Sequence, residues 1–420
     1  MLVTLAYGKR GLTADLPDNV TVLRPAFAPG RPDEAAAIRE ALRQPLGVPP
    51  LPEIVRPGDQ VVIVFSDITR PMPNDRVLPV LLEELAHVPP GQITLLNALA
   101  THRPQTEAEL ATMLGPEIVR SYRVLQHDAW DRGNLVLVGR SESGHDVWLN
   151  RAYVEADMRI VTGFIEPHFF AGFSGGPKAV LPGIAGAETT CGNHAAAMID
   201  HPQATWCVTV GNPIWEEMAQ AAAMAAPTFC LNVALNAARA ITDAWAGEWR
   251  QVHEAGCRVV GQRAMAPVED PFDVVVTTNS GYPLDLNLYQ AVKGMSAAAR
   301  VVRPGGAIVI AAECWDGIPD HGEYKRLLWE AGSPQALLEM VRQPGFFRQD
   351  QWEAQIQALI QRKAAVYLYS DGLSDEDIRR AWLEPCRDIA ATVRELRARH
   401  GPRVCVLPEG PQTVPWLKKT

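Results

Sequence analysis

The stretch MRIVTGFIEPHFFAGFSGGPKAVLPG, residues 158–183, carries the pattern that decides the fold. Its first seven residues, 158–164, form an apolar run that predicts a buried strand, and a glycine-rich loop follows directly. A helix is predicted after the loop, from about Ala187 to Ile199. Strand, loop and helix in this order are typical of a βαβ unit in a parallel sheet.

The same alternation extends along the chain in both directions. Strands are predicted at 60–67 and 93–99, and helices at 74–86 and 105–114. The proline-rich and charged segment 261–273 is typical of a domain linker. Further apolar runs continue the pattern before and after this linker, at 206–210, 229–235, 272–280, 307–313, 365–370 and 403–410.

These elements predict an α/β protein with two α/β domains, mainly parallel sheets and an active site in the cleft between them. The predicted domains are 1–265 and 266–420, and a return of the C-terminal tail to the first domain is left open. VVIVFSDITRP and DVVVTTNSGYPLD share a local pattern, because each is a buried strand followed by small polar residues and a proline. This shared pattern would fit two related α/β halves of the chain.

Composition narrows the class of protein. Of the 420 residues, 47% are apolar and 21% charged, which is typical of a globular protein. The formal charge of −9 disfavours nonspecific binding to nucleic acid. No apolar run approaches the roughly 18 residues of a membrane span, and no basic segment precedes the apolar N-terminus. The seven cysteines are scattered and never form a C-x-x-C pair. We therefore expect a cytoplasmic protein without disulfides, a cysteine zinc site, or a nucleic-acid or membrane partner.

The segment GFSGGPKAV resembles a phosphate-binding P-loop but departs from its pattern. Pro177 precedes Lys178 and Ala179 follows it, so the loop lacks the hydroxyl that binds Mg²⁺. The glycines can still let backbone N–H groups surround an anion. A tight connection carrying a solvated lysine fits the residues equally well. A lysine in a rigid, partly desolvated loop can also become nucleophilic.

Three histidines lie shortly after strands that the sequence predicts. His102 and His168 each follow a strand, and His194 lies in the helix after the glycine loop. Histidine titrates near neutral pH and is the commonest metal ligand. Each of the three, taken alone, also fits a packed or capping histidine. The other histidines are interpreted as structural or surface residues.

Two further groups combine charge with a suggestive spacing. Asp67 and Arg70 lie in SDITRP, directly after a predicted strand. They fit a local ion pair, or an arginine that binds a carboxylate or phosphate and is oriented by the aspartate. Gln290 and Lys293 are three residues apart and can share one helix face.

Taken together, SDITRP, ATHRP, PHFFAGFSGGPKAVLPGIAG, NH and PLDLNLYQAVKG resemble, in the same order, motifs of the nickel-dependent lactate racemase family. The resemblance covers about residues 60–300. It implies a nickel-pincer nucleotide, a pyridinium mononucleotide carrying thioamide and thiocarboxylate groups, which binds nickel through two sulfurs and a ring carbon. It also implies maturation proteins as partners, and a chain expressed without them would lack the cofactor.

The resemblance assigns a role to each matching residue. It implies acid/base catalysis by His102 and His168, covalent cofactor attachment at Lys178 through a thioamide, and nickel ligation by His194. The phosphate of the cofactor would bind the backbone donors of 172–176. The implied cofactor-binding residues are Asp67, Gly172, Phe173, Ser174, Gly175, Gly176 and Tyr289, and the implied substrate-binding residues are Arg70, Gln290, Lys293 and Trp352.

We therefore predict an isomerase that inverts C2 of a small 2-hydroxy acid, lactate-like or larger, by reversible hydride transfer to the cofactor. One alternative is a C2 epimerase of a sugar acid. An NAD-dependent dehydrogenase would need a G-x-G-x-x-G turn after a strand, which the sequence lacks. A non-catalytic nickel-nucleotide carrier would not need both His102 and His168. The sequence leaves the oligomeric state open.

Overall fold

The computed structural model describes residues 1–320 and 322–418. The chain divides into two compact units. The glycine-loop unit comprises Phe27–His194 and His201–Gln262. The terminal unit comprises Met1–Ala26, Ala195–Asp200 and the described part of Arg263–Thr420. The domain boundaries inferred from the sequence stay a prediction.

The strands follow the apolar, β-branched runs of the sequence. In chain order they are β1 (Leu2–Leu5), β2 (Leu12–Asp15), β3 (Thr21–Val22), β4 (Val61–Ser66), β5 (Ile93–Ala98), β6 (Arg123–Gln126), β7 (Leu135–Arg140), β8 (Asp146–Asn150), β9 (Met158–Phe164), β10 (Pro167–His168), β11 (Gly172–Phe173), β12 (Phe229–Leu235), β13 (Ile241–Gly247), β14 (Met265–Val268), β15 (Phe272–Thr278), β16 (Val302–Ala311), β17 (Ala365–Tyr369), β18 (Glu384–Pro385), β19 (Val404–Leu407) and β20 (Val414–Leu417).

Many helices begin at side-chain caps. At one of them, Thr106 and Glu109 form a reciprocal capping box. In chain order the helices are α1 (Glu34–Arg43), α2 (Leu51–Ile54), α3 (Asn74–Glu84), α4 (Glu107–Leu114), α5 (Pro116–Ser121), α6 (Arg151–Val154), α7 (Ala187–Asn193), α8 (Ala196–Ile199), α9 (Pro213–Met224), α10 (Trp249–Ala264), α11 (Leu288–Ala299), α12 (Tyr324–Ala331), α13 (Pro334–Val341), α14 (Gln351–Lys363), α15 (Asp375–Arg380) and α16 (Ile389–His400).

The glycine-loop unit is built on a six-stranded sheet with the order β13-β12-β9-β4-β5-β6. Its pairs are parallel except β12 with β13. In β4, all five residues from Val61 to Phe65 are buried, as expected of a strand covered on both faces. β4 lies between β5 and β9, so the loops that leave these three strands emerge side by side. The candidate active site is formed by these loops.

The terminal unit has a second six-stranded sheet, with the order β18-β17-β16-β15-β19-β3 and parallel pairs throughout. Its core contains the apolar side chains of β15, β16 and β19, against which α16 packs. The pairs β1–β2 and β14–β20 form two small additional sheets. The predicted α/β class with large, mainly parallel sheets is therefore confirmed.

Three local predictions are wrong. The run 206–210 forms no strand, because Cys207 has a φ of 59° and its N–H bonds to the carbonyl of Gly172. The helix predicted over 187–199 is interrupted: α7 ends at Asn193, and α8 begins after Ala195, which is extended with a ψ of 156°. The predicted linker 261–273 lies largely in α10 and β14. No helix among the described residues is long and apolar enough to span a membrane.

Candidate active site

Asp67 and His102 form a close pair at the carboxyl ends of two neighbouring strands. Asp67 directly follows β4, and His102 lies four residues beyond β5. The Nδ1 atom of His102 lies 2.5 Å from Oδ2 of Asp67, whose side chain is only 1% exposed. Burial raises the pKa of this carboxyl, but His102, the charge of Arg70 and the hydroxyl of Thr69 together hold the pKa below its ordinary value. Asp67 is therefore an ionised partner that fixes the orientation of His102.

This hydrogen bond determines which nitrogen of His102 is basic. Because Nδ1 donates to a carboxylate, neutral His102 has its lone pair on Nε2. The ring is 33% exposed and lines a pocket, and among the described residues Nε2 has no hydrogen-bond partner. Such a histidine can take a proton from a ligand and share the resulting positive charge with Asp67.

The pocket brings several of the predicted residues together. It has a volume of about 70 Å³, and it is lined by Arg70, His102, Ser174, Gly175 and Lys178, together with small and apolar residues. Within the described part of the chain, the guanidinium of Arg70 makes no hydrogen bond or ion pair. Two cationic side chains and a basic imidazole thus face one space, which suits an anionic ligand carrying a hydroxyl group.

The ring of Phe170 joins the lysine to the other two histidines. It lies edge-on to His168, with ring centroids 4.5 Å apart, and to His194, at 5.0 Å. The Nζ atom of Lys178 lies 5.8 Å from the centroid of the same ring. The Nδ1 atom of His168 accepts a hydrogen bond from the N–H of Ala171 at 3.2 Å, so neutral His168 carries its proton on Nε2.

His194 is suited to metal binding. It is 4% exposed, and its backbone N–H closes the end of α7 on the carbonyl of Thr190. Burial, and then the positive charge of Lys178, lowers the pKa of His194 to about 3. The imidazole is therefore neutral at physiological pH, which is the form that binds nickel.

Three backbone N–H groups of the glycine loop already have hydrogen-bond partners within the protein. The N–H groups of Phe173 and Ser174 bond to the carbonyls of Ala171 and Glu166, and that of Gly176 bonds to Oδ1 of Asn232 at 2.8 Å. Three of the expected donors are thus used within the protein, because the loop folds tightly on itself. The contact of the 172–176 backbone with a cofactor phosphate stays a prediction.

His253 supports the same loop from behind. Its Nε2 atom lies 3.1 Å from the carbonyl oxygen of Ser174. A Cβ atom on Gly176, which has a φ of 51°, would lie 2.6 Å from the His253 ring. Only glycine therefore fits against this ring. Burial lowers the pKa of His253 to about 4, so the supporting ring is neutral. No local pattern in the sequence distinguishes this histidine from an ordinary core histidine.

The terminal unit holds the other predicted residues in two pairs. On α11, Nζ of Lys293 donates to Oε1 of Gln290 at 2.7 Å, which confirms the shared helix face. The indole N–H of Trp352 donates to the hydroxyl of Tyr289 at 3.3 Å. Trp352 is the second residue of α14, and its side chain is buried.

Comparisons with known proteins identify the family of the chain. The model of the lactate racemase N-terminal domain matches residues 7–207, and that of the lactate racemase C-terminal domain matches residues 268–414. The chain is 36% identical to the lactate racemase of Thermoanaerobacterium thermosaccharolyticum over 417 residues, covering 97% of each chain. It is also 36% identical to the lactate racemase of Lactiplantibacillus plantarum, covering 97% of this chain and 98% of that protein.

Solved structures show the same relationship. The lactate racemase apoprotein of T. thermosaccharolyticum superposes with a TM-score of 0.92 at 34% identity, covering 99% of this chain and all of that one. A Thermotoga maritima protein shares the fold, with a TM-score of 0.72, 20% identity and coverage of 93% of this chain and 100% of that chain. The protein belongs to the lactate racemase family and is accordingly an isomerase.

Proposed function

We propose that this protein racemises lactate, or a larger 2-hydroxy acid, at C2. The observation that carries the proposal is the Asp67–His102 pair. Nε2 of His102 has no partner among the described residues, and His102 lines a pocket together with Arg70 and Lys178. A base, a guanidinium and an amine that line one pocket match the hydroxyl and carboxylate of a 2-hydroxy acid. The names of the two curated relatives support lactate as the first substrate to test.

His102 is proposed to take the proton of the 2-hydroxyl group on Nε2. The imidazolium that forms keeps its Nδ1–H on Asp67, and the buried carboxylate stabilises the new charge. In one direction of inversion His102 gains the hydroxyl proton, and protonated His168 supplies the proton that restores a hydroxyl. The reverse direction exchanges these roles, so each enantiomer meets one base.

The substrate carboxylate is proposed to bind Arg70. A guanidinium offers a planar pair of N–H donors that matches a carboxylate, and this one has no competing acceptor among the described residues. Gln290, Lys293 and Trp352 stay proposed substrate contacts. A fixed carboxylate would let the rest of a 2-keto acid rotate while the molecule is held.

The donor set fits a nickel-bearing nucleotide. Among the described residues no group of three or more histidine, cysteine, aspartate or glutamate side chains could hold a metal ion, so nickel here would depend on ligands that a cofactor brings. Lys178 is proposed to attach the nickel-pincer nucleotide and the neutral ring of His194 to ligate its nickel. When bound, this group supplies an acceptor for the hydride of C2. Asp67, the 172–176 loop and Tyr289 stay proposed cofactor contacts.

The proposal is tested with protein co-expressed with cofactor maturation enzymes, which are its proposed partners. Intact mass spectrometry should show an adduct of nucleotide size, and peptide mapping should place it on Lys178. The loaded protein should bind nickel and destroy the optical purity of L- or D-lactate. A panel of chiral 2-hydroxy acids, including sugar acids, then ranks the substrates. Full activity without an adduct would contradict the proposal.

Two variants control this experiment. Lys178→Ala should abolish the adduct and the racemase activity while leaving the thermal unfolding of the apoprotein nearly unchanged. Lys325→Ala removes a lysine that pairs with Asp320 in the terminal unit, and it should keep both adduct and activity. Loss of the adduct in both variants would show that the effect is not specific to the pocket.

A further inference from the structure

Glu217 is a buried carboxylate next to the candidate active site, with no role in the chemistry proposed above. It lies on α9 and is 2% exposed. Its Oε1 accepts hydrogen bonds from Oγ of Ser141 and from Nδ1 of His145, the latter at 2.7 Å. Its Oε2 accepts from Nδ2 of Asn193 at 2.9 Å. Burial raises the pKa of Glu217, but these three donors together lower it below its ordinary value, so the group is ionised.

Asn193 is the residue through which this carboxylate reaches the site. It is the last residue of α7, it is fully buried, and it directly precedes His194. Its side-chain N–H groups donate to Glu217 and to the carbonyl of Ile214, the latter at 3.0 Å. Both anchors belong to α9, so the amide ties the end of α7 to that helix. The Oδ1 atom has no hydrogen-bond partner among the described residues.

We propose that Glu217 is a positioning residue for His194. Glu217 holds the side-chain amide of Asn193 in place. Because Asn193 is the last residue of α7, this also fixes the backbone of His194 and so the position of its imidazole ring. The inference rests on the proposed function, because it assumes that His194 ligates the nickel of a bound cofactor. Residues that orient a metal ligand typically change metal affinity or activity 10- to 100-fold when they are altered.

A carboxylate is required for this role. Its two oxygens accept hydrogen bonds on opposite sides, from Ser141 and His145 on one and from Asn193 on the other. The amide of a glutamine has only one oxygen, so its NH₂ group would face one of these donors. Glu217→Gln therefore keeps the size of the side chain but breaks one side of the network.

The experiment measures nickel retention separately from cofactor attachment. Wild type, Glu217→Gln and Asn193→Ala are each co-expressed with the maturation enzymes, and the adduct on Lys178 is counted by intact mass spectrometry. The rate at which a chelator removes nickel is then measured per adduct. Both variants should keep the adduct and lose nickel about 10- to 100-fold faster than wild type.

Glu216→Gln is the matched control. Glu216 is the preceding residue on α9 and is exposed. Within the described part of the chain, its side chain accepts a hydrogen bond only from the N–H of Gly211. This variant should lose nickel at the wild-type rate. The positioning role would be overturned if Asn193→Ala, or Glu217→Gln with its adduct intact, lost nickel at the wild-type rate. The proposed function would not be affected by that result. A wild-type chain without an adduct would instead overturn the proposed function.

Discussion

The polar segments that follow β4 and β15 begin from the same local pattern and end differently. After β4, Asp67 bonds to the side chain of His102, which keeps a basic nitrogen open to a pocket. After β15, Thr278 and Ser280 donate their hydroxyl groups to the backbone carbonyls of Pro408 and Glu409. The first segment thus orients a side chain that lines a pocket, whereas the second holds backbone loops of its own unit. Small polar residues after a buried strand indicate a site only when their partners are reactive side chains.

The largest expected effect is at the end of β5. His102→Gln keeps a polar side chain but removes the base, and it should lower kcat of the loaded enzyme by about 100- to 10,000-fold. The adduct on Lys178 should remain, because the pocket lysine is untouched. Steady-state racemisation of lactate, with the adduct counted by mass spectrometry, measures both. An activity within a factor of about three of wild type would remove His102 from the proposed chemistry.

The second effect tests whether the negative charge of Asp67, and not only the shape of its side chain, is needed. Asp67→Asn keeps the shape of the side chain but removes the carboxylate that stabilises protonated His102, so kcat should fall by about 100-fold or more. The ¹⁵N chemical shifts of His102 in the apoprotein should also change, because Nδ1 loses its ionised acceptor. This NMR readout does not depend on the cofactor. Unchanged shifts together with unchanged kcat would show that the pair is only structural.

The third effect concerns acid stability of the glycine-loop unit. The pKa of His253 is about 4 in the folded protein and 6.5 in its ordinary state. The unfolded chain therefore binds the proton more readily than the folded protein. The contribution of His253 to the unfolding free energy is fully present above about pH 6.5 and is lost as the pH falls towards 4. Between about pH 7.5 and 4.5 this histidine should account for about 2–3 kcal/mol of lost unfolding free energy.

Urea unfolding at the two pH values tests this effect. His253→Gln should reduce the difference between them, whereas His201→Gln, which changes an exposed histidine, should not. Burial also lowers the pKa of His127, so part of the acid sensitivity should persist in His253→Gln. An unchanged pH dependence in His253→Gln would contradict the burial argument.

The smallest effect is expected after β15. Ser280→Ala removes one hydrogen bond, to the carbonyl of Glu409 at 2.8 Å, and should lower the unfolding free energy by about 1 kcal/mol. Its kcat should stay within a factor of about two of wild type, because no reactive side chain depends on this hydroxyl. A loss of kcat comparable to that of Asp67→Asn would contradict the conclusion that the segment after β15 has only a structural role.

Much of the fold follows from local patterns. The predicted strands at 60–67, 93–99 and 158–164 agree with β4, β5 and β9, since long apolar runs flanked by turn residues leave little ambiguity. The interruption of the helix at His194 and the missing strand at 206–210 were not predicted. Both depend on distant contacts, the first on the tie between Asn193 and α9, and the second on the bond between Cys207 and Gly172.

The sequence by itself determined the α/β class, the family motifs and the identities of the candidate residues, because strand propensity, glycine-loop composition and motif order are local properties of the chain. Only the tertiary structure decided which of these residues are partners. Asp67 and His102 are 35 positions apart and meet because β4 and β5 are parallel neighbours. Glu217 and Asn193 are 24 positions apart and meet because α9 packs beside α7. The loop composition could not show that three of its N–H groups are already bonded within the protein, since hydrogen-bond partners depend on how the whole unit packs.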